Sequence, residues 1–353
     1  MRQLTVVLGT GRCGSTLLST VLNRHPRVLS LSEFFTSLDP DAFPVEEIDG
    51  GRFWAILSTP RSKAMTQLRH GVAPAEYLYP FGSGRFTAET GVPPVSLVTL
   101  PHLSDRPDEV LDEIEAAVTG WERASVAVQY ARLFDWLCDR FDRDVVVERS
   151  GASLRFVPGL RACFPDARYL YLDRDGSAAS ASMSRHPSFR LEVRVLEMMD
   201  LLGVDPYLSP SAGHADRLPP ELRCLLPDRF DGTALMSQPI PLPVFGMIWS
   251  HLVADGVREL DAVPTDRIRY LRYEDVLADP VHRFRELAAM LGVDAPDGWL
   301  AEAVTLVRPG SGTGRSSEPP EAQRRALREA CEPGTRAVRA LRERLARTPS
   351  GSS

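Results

Sequence analysis

Residues 3–16 read QLTVVLGTGRCGST: an apolar run, a glycine-rich turn, then a serine–threonine pair. Residues 3–8 are predicted to form a buried strand, because a short continuous apolar run ending at glycine fits a strand covered on both faces. A helix is predicted from about Ser15 to Arg24. It stops at His25-Pro26, since the residue before a proline is pushed out of the helical region. Between strand and helix lies Gly9-Thr10-Gly11-Arg12-Cys13-Gly14-Ser15-Thr16. Glycines let the backbone turn tightly and aim N–H groups at an anion, and a helix N-terminus adds partial positive charge. Ser15 and Thr16 add hydroxyl donors. The outline is that of GxxxxGK[ST], but Ser15 stands where the lysine would be, and the positive charge sits at Arg12. The loop therefore suits a phosphate-bearing ligand handled without the usual triphosphate machinery.

Working outward, residues 28–32 (VLSLS) read as a second strand ending at Glu33, and 144–150 (DVVVERS) as a third. Ser153 to Phe164 fits a helix stopped by Pro165. Strand character returns over 167–175, a helix follows from near Gly176, and 267–276 reads as a further strand. Pro280 opens a helix that Gly292 closes. Strands alternating with helices imply a three-layer α/β fold, a parallel sheet with helices on both faces. Two stretches interrupt the rhythm, 36–120 and 186–245, both rich in Pro, Gly and mixed polar residues. They read as insertions above the sheet that cap the acceptor side. The rest reads as a single domain over 1–347, with 348–353 (TPSGSS) as a disordered tail.

Composition narrows the function classes. A chain of 353 residues can build one large α/β domain, and 43 % hydrophobic with 25 % charged residues is ordinary for a globular protein. A net charge of −6 argues against a general nucleic-acid binder while leaving room for a local basic pocket. Cysteines at 13, 138, 163, 224 and 331 are odd in number and form no CxxC pair, so reduced thiols are expected and no zinc site. The short apolar run at residues 3–8 is too short for a signal-peptide core, no segment reaches the length of a membrane span, and a cytoplasmic location is the expectation.

The motifs together resemble those of the PAPS-dependent sulfotransferases of bacterial type. These enzymes use 3′-phosphoadenosine 5′-phosphosulfate (PAPS) as donor. GTGRCGSTLL resembles the family's 5′-phosphosulfate loop. YLYLDRDGSAASASMS, 169–184, resembles its 3′-phosphate motif, an Arg followed eight residues later by a Ser, as Arg174 and Ser182 are. LRYEDVLADPVHRFRELAAMLGV, 271–293, resembles its Tyr-Glu-Asp segment and following helix. Arg308-Pro309-Gly310 through Gly314-Arg315 resembles the loop that closes over the nucleotide. The blocks occur in family order.

The resemblance implies a P-loop-like fold and in-line transfer of a sulfonate group from PAPS to a hydroxyl. The acceptor would be a small molecule or an acyl group tethered to a carrier. The product would be 3′,5′-ADP, with no metal, no nucleic acid and no membrane span. It implies donor binding by Gly11, Arg12, Cys13, Gly14, Ser15, Thr16, Arg174, Ser182, Arg308, Gly314 and Arg315. Arg12 and Arg149 would supply positive charge at the reacting group. Arg149 falls where the family commonly has the Lys of a Lys-Thr motif, with Ser150 in place of the Thr. The His that serves as base in the cytosolic hormone and phenol branch is replaced by Gly151. The branch that includes tyrosylprotein sulfotransferases uses a Glu just after the second strand, and Glu33 is similarly placed, so Glu33 is the expected base. His70, His102, His186 and His251 stand as alternatives.

Single residues also admit plainer readings. Arg174 ends a strand, where ligands of parallel sheets bind, and its planar fork suits phosphate; it could equally pair with Asp173 or Asp175. Glu274 and Asp275, as neighbours on a strand, would point to opposite faces and so serve structure rather than a metal. Phe34, Phe35, Trp54, Tyr77, Tyr79, Phe81, Trp121 and Phe189 could line an apolar acceptor pocket or pack in the core. Three other functions remain open. A P-loop kinase or NTPase would need the missing lysine. A nucleotide-binding module without catalysis would keep Arg12, Arg174 and Ser182 and need no base. A dinucleotide-binding dehydrogenase would use Glu33 on the ribose.

Overall fold

A computed structural model describes residues 2–307 and 320–347; Arg308, Gly314, Arg315 and the tail 348–353 lie outside the described residues. Among the described residues, five strands form one sheet: β1 (Leu4–Leu8), β2 (Val28–Ser32), β3 (Val145–Arg149), β4 (Arg168–Asp173) and β5 (Ile268–Arg272). They lie in the order β2-β3-β1-β4-β5, and every pairing is parallel. β1, β2 and β3 are buried along their whole length, as expected where both faces are covered.

Alternation along the strands splits the interior in two. Leu4, Val6 and Leu8 face a core shared with the helices Val126–Phe141, Leu242–Leu260 and Glu321–Arg347. Val7 faces the opposite core, shared with Ser15–Asn23, Pro280–Leu291 and Asp297–Leu306. The expected three-layer α/β architecture is therefore present.

Two expected elements differ in the structure. The strand expected over 267–276 ends at Arg272, and Tyr273–Ala278 is helical. Glu274 and Asp275 thus occupy a helix's first turn, where negative charge is favoured, and strand alternation does not apply to them. Glu274 Oε1 accepts from the Asp175 amide at 3.0 Å and fastens the end of β5 to that of β4. The helix expected from Ser153 begins as a 3-10 turn, Ser153–Phe156, before Val157–Cys163 becomes α-helical. The stretch 36–120 carries several helices, including Gly50–Ser58, Ser62–Arg69 and Pro107–Val118, and 186–245 opens with the helix Pro187–Leu202. The latter packs a small core of its own around Leu191, Met198, Leu225, Phe230 and Leu235.

Phe34 and Phe35 belong to the main core. Phe35 meets Tyr130 edge-on at 5.3 Å and lies 5.0 Å from Phe43. Truncating it would leave a cavity among these rings, so Phe35→Ala is expected to cost about 3–5 kcal/mol, read as a lower urea midpoint. Unchanged stability would mean that the ring is not core.

Candidate active site

The C-terminal ends of β1, β2, β3 and β4 converge on one edge of the sheet, where loops leave four parallel strands side by side. Ligands of open α/β sheets bind beyond this edge. Backbone strain concentrates there. Four non-glycine residues among those described have positive φ: Arg12, Glu33, Asp142 and Ala152. Three of them lie in the turns that follow β1, β2 and β3. Such conformations cost roughly 1–3 kcal/mol each and persist where the surroundings enforce them.

The glycine loop runs from Gly9 to Gly14, and the helix Ser15–Asn23 starts immediately after it. Gly14 has φ 88°, and a Cβ there would lie 2.1 Å from Tyr273 Cδ2. Only glycine allows both the turn and the approach of the tyrosine. The Cys13 side chain points away from this edge into the core below, where burial raises its thiol pKa, so any ligand contact from Cys13 is left to its backbone. Ser15 is buried and Thr16 is exposed.

Arg149 and Glu33 form a buried ion pair between the ends of β3 and β2, with side chains 3 % and 15 % exposed. Arg149 Nη2 also donates to Ser32 Oγ at 2.6 Å, while its Nε is buried without a hydrogen-bond partner among the described residues. The second Glu33 oxygen accepts from the Gly151 amide at 2.7 Å. A Cβ at position 151 would come within 3.2 Å of that oxygen, so the residue standing in for the missing histidine lets the carboxylate rest on its backbone. Arg174 pairs with neither aspartate. Asp173 accepts from the Tyr270 hydroxyl at 2.6 Å, and Asp175 caps its helix through the Ala178 amide. Arg174 instead lies over the Tyr273 ring and donates to the Arg12 carbonyl at 2.7 Å. Arg12 in turn donates from Nε to Ser182 Oγ at 3.1 Å. Loop, Arg174 and Ser182 are thus one connected group.

Of the four histidines, His70 and His251 are exposed, and His70 packs on Phe230. His102 reaches Ser19 Oγ at 3.2 Å; burial and then the charge of Arg149 push its pKa down to about 4. His186 bonds Glu76, which pairs with Arg12. Glu76 lies in an APAEYLYP stretch that carries no motif, so nothing in the sequence marks it. No cluster of three or more His, Cys, Asp or Glu side chains suited to a metal occurs among the described residues. No helix among them is long and apolar enough to cross a membrane.

This arrangement defines a class: a parallel α/β protein, covered on both faces, whose glycine loop and arginines meet at one sheet edge. A model of the sulfotransferase family matches residues 5–202, more than half of the 353, and the chain belongs to that family. No curated relative matches the sequence. Among solved structures the chain is similar to the sulfotransferase domain from the curacin biosynthetic pathway, at 16 % identity over 86 % of this chain and 78 % of that one, with a TM-score of 0.45. It is also similar to the sulfotransferase domain of the Synechococcus PCC 7002 olefin synthase, at 17 % identity over 94 % and 93 % of the two chains, TM-score 0.46. A sulfotransferase from Alicyclobacillus acidocaldarius matches at 16 % identity over 99 % and 98 %, TM-score 0.42. Family membership rests on the 5–202 match alone.

Glu148, beside Arg149 on β3, faces the other way into the main core. It is fully buried, accepts from Ser150 Oγ through one oxygen, and leaves the other without a hydrogen-bond partner among the described residues. Burial pushes its pKa up to about 8. Between pH 5 and 8 the folded protein therefore holds a proton that the unfolded chain releases, and stability falls as pH rises through that window. Glu148→Gln removes the titration. Its Tm relative to wild type is expected to rise steadily from pH 5 to pH 8.5; a difference independent of pH would show that Glu148 is ionised in the fold.

Proposed function

We propose that the protein transfers a sulfonate group from PAPS to a hydroxyl of a small-molecule or carrier-tethered acceptor. The observation that carries the reading is the meeting of Arg12, Glu33, Arg149 and Arg174 at the sheet edge where the glycine loop opens. In this reading the Gly11–Thr16 loop and the helix N-terminus bind the 5′-phosphosulfate, while Arg174 and Ser182 bind the 3′-phosphate. Arg308, Gly314 and Arg315 would close over the nucleotide. The acceptor oxygen bonds to sulfur as the bond from sulfur to the bridging phosphate oxygen breaks, and 3′,5′-ADP leaves with that electron pair. Glu33 takes the acceptor's proton. Both of its oxygens are already engaged, but each carboxylate oxygen keeps a further acceptor site. Arg12 and Arg149 offset charge on the transferring group without a metal. Residues 1–347 act as one cytoplasmic domain, with 36–120 and 186–245 choosing the acceptor.

Arg174→Ala should weaken 3′,5′-ADP at least roughly tenfold more than 5′-AMP, since only the former carries the phosphate that Arg174 would pair with. An unchanged ratio in calorimetry would overturn the assignment. Glu33→Gln should cut turnover by about 10²–10⁴-fold while 3′,5′-ADP still binds, because a positioned base contributes that much. It should also lower Tm, since it leaves a buried guanidinium with a neutral partner. Turnover is therefore compared at a temperature where both proteins are folded. Near-normal turnover where chemistry limits the rate would exclude Glu33 as base.

A further inference from the structure

Two of the three guanidinium nitrogens of Arg12 hold protein partners. Its Nε donates to Ser182, and its Nη1 pairs with a Glu76 carboxylate oxygen. Ser182 and Glu76 thereby engage the guanidinium on its two different edges, and a two-pronged grip on a phosphate or sulfonate needs one such edge free. Glu76 is itself held. Its other oxygen meets His186 Nε2 at 3.2 Å, and His186 packs edge-on against Phe189 at 5.5 Å. Phe189 in turn covers the loop, where a Cβ on Gly11 would come within 2.8 Å of its ring. The bond from His186, helped by the charge of Arg12, holds the Glu76 pKa at about 2 against the opposing effect of burial, so the carboxylate is ionised across the working pH range. Tyr77, next in sequence, has its phenol pushed up by burial and then by the negative charges of Glu33 and Glu76.

An ionised carboxylate on Arg12 is a single-charge stand-in for an anionic ligand group. We propose that Glu76, steadied by His186, is the resident counter-ion of Arg12: a positioning residue that holds the guanidinium across the loop and must surrender it when an anionic ligand enters. Ligand entry is then an exchange of one anion for another, and it frees the segment around Glu76 at the same moment. The site is closed by its own charge when empty and opens towards the acceptor side as the donor seats. This inference rests on the reading of the loop as the donor's phosphosulfate site.

Glu76→Gln keeps the size of the side chain and removes the competing charge. By calorimetry it should bind 3′,5′-ADP at least about fivefold more tightly than wild type, the order of effect that one charge-assisted hydrogen bond supplies. Inorganic sulfate should show the same direction. Loss of a merely structural contact would not tighten a ligand. In wild type, amide exchange over residues 74–79 should accelerate when 3′,5′-ADP is added; in the variant it should be fast beforehand. Should Glu76→Gln not fold, His186→Gln leaves the carboxylate but loosens it, and should tighten 3′,5′-ADP about two- to threefold. Equal or weaker binding of both probes in a folded variant overturns the counter-ion role while the donor reading stands. Tighter sulfate binding with no binding of 3′,5′-ADP by either protein supports the counter-ion and overturns the donor reading.

Discussion

A guanidinium enclosed as tightly as that of Arg149 cannot remain without a negative partner, and the arrangement of this protein's sheet edge follows from that constraint. Glu33 supplies the charge from the neighbouring strand, in a left-handed conformation that a non-glycine residue adopts only under compulsion. Its backbone is fixed as well, since the Glu33 amide donates to the Arg149 carbonyl at 2.6 Å. Ser32, Gly151 and Thr36 complete the surroundings, with the Thr36 hydroxyl donating to the Gly151 carbonyl at 2.7 Å. The ends of β2 and β3 are therefore locked together by charge, by the sheet ladder and by the loops beyond it.

β1 brings the glycine loop to the same edge from the other side of β3, and β4 brings Arg174 from the other side of β1. Loop and strand ends are connected by side chain to backbone: Arg174 to the Arg12 carbonyl, Arg12 to Ser182. The adjacent residues Glu148 and Arg149 show how strand alternation divides labour. One is sent into the main core as a neutral acid, the other towards the edge as a paired cation.

Much of this was legible in the sequence for specific reasons. Apolar runs such as LTVVL and VVVER announce strands buried on both faces, and glycines between a strand and a helix announce the loop. Arg174 could be placed at the edge because a strand ends there. The turn into a helix at Tyr273 was not legible, because YEDV continues the apolar-polar texture of β5, and only the acidic first turn hints at the change. Phe34 and Phe35 were ambiguous because a residue just past a strand can face ligand or core. The helix Val126–Phe141, which supplies Tyr130 and Phe134 to enclose them, lies about ninety residues away in the chain. Glu76 left no trace, since its partners come from separate parts of the chain and its own neighbourhood follows no pattern.

Among the described residues, β2 has a sheet neighbour on one side only. Glu33 therefore hangs from an edge strand, while the glycine loop follows the central one. β2 is nonetheless buried along its whole length, so its outer side is held by packing and its end by the Glu33–Arg149 pair rather than by a second ladder. β1 is held by ladders to β3 and β4 on both sides. Within one continuous sheet, the two halves of the site are thus fastened by different means.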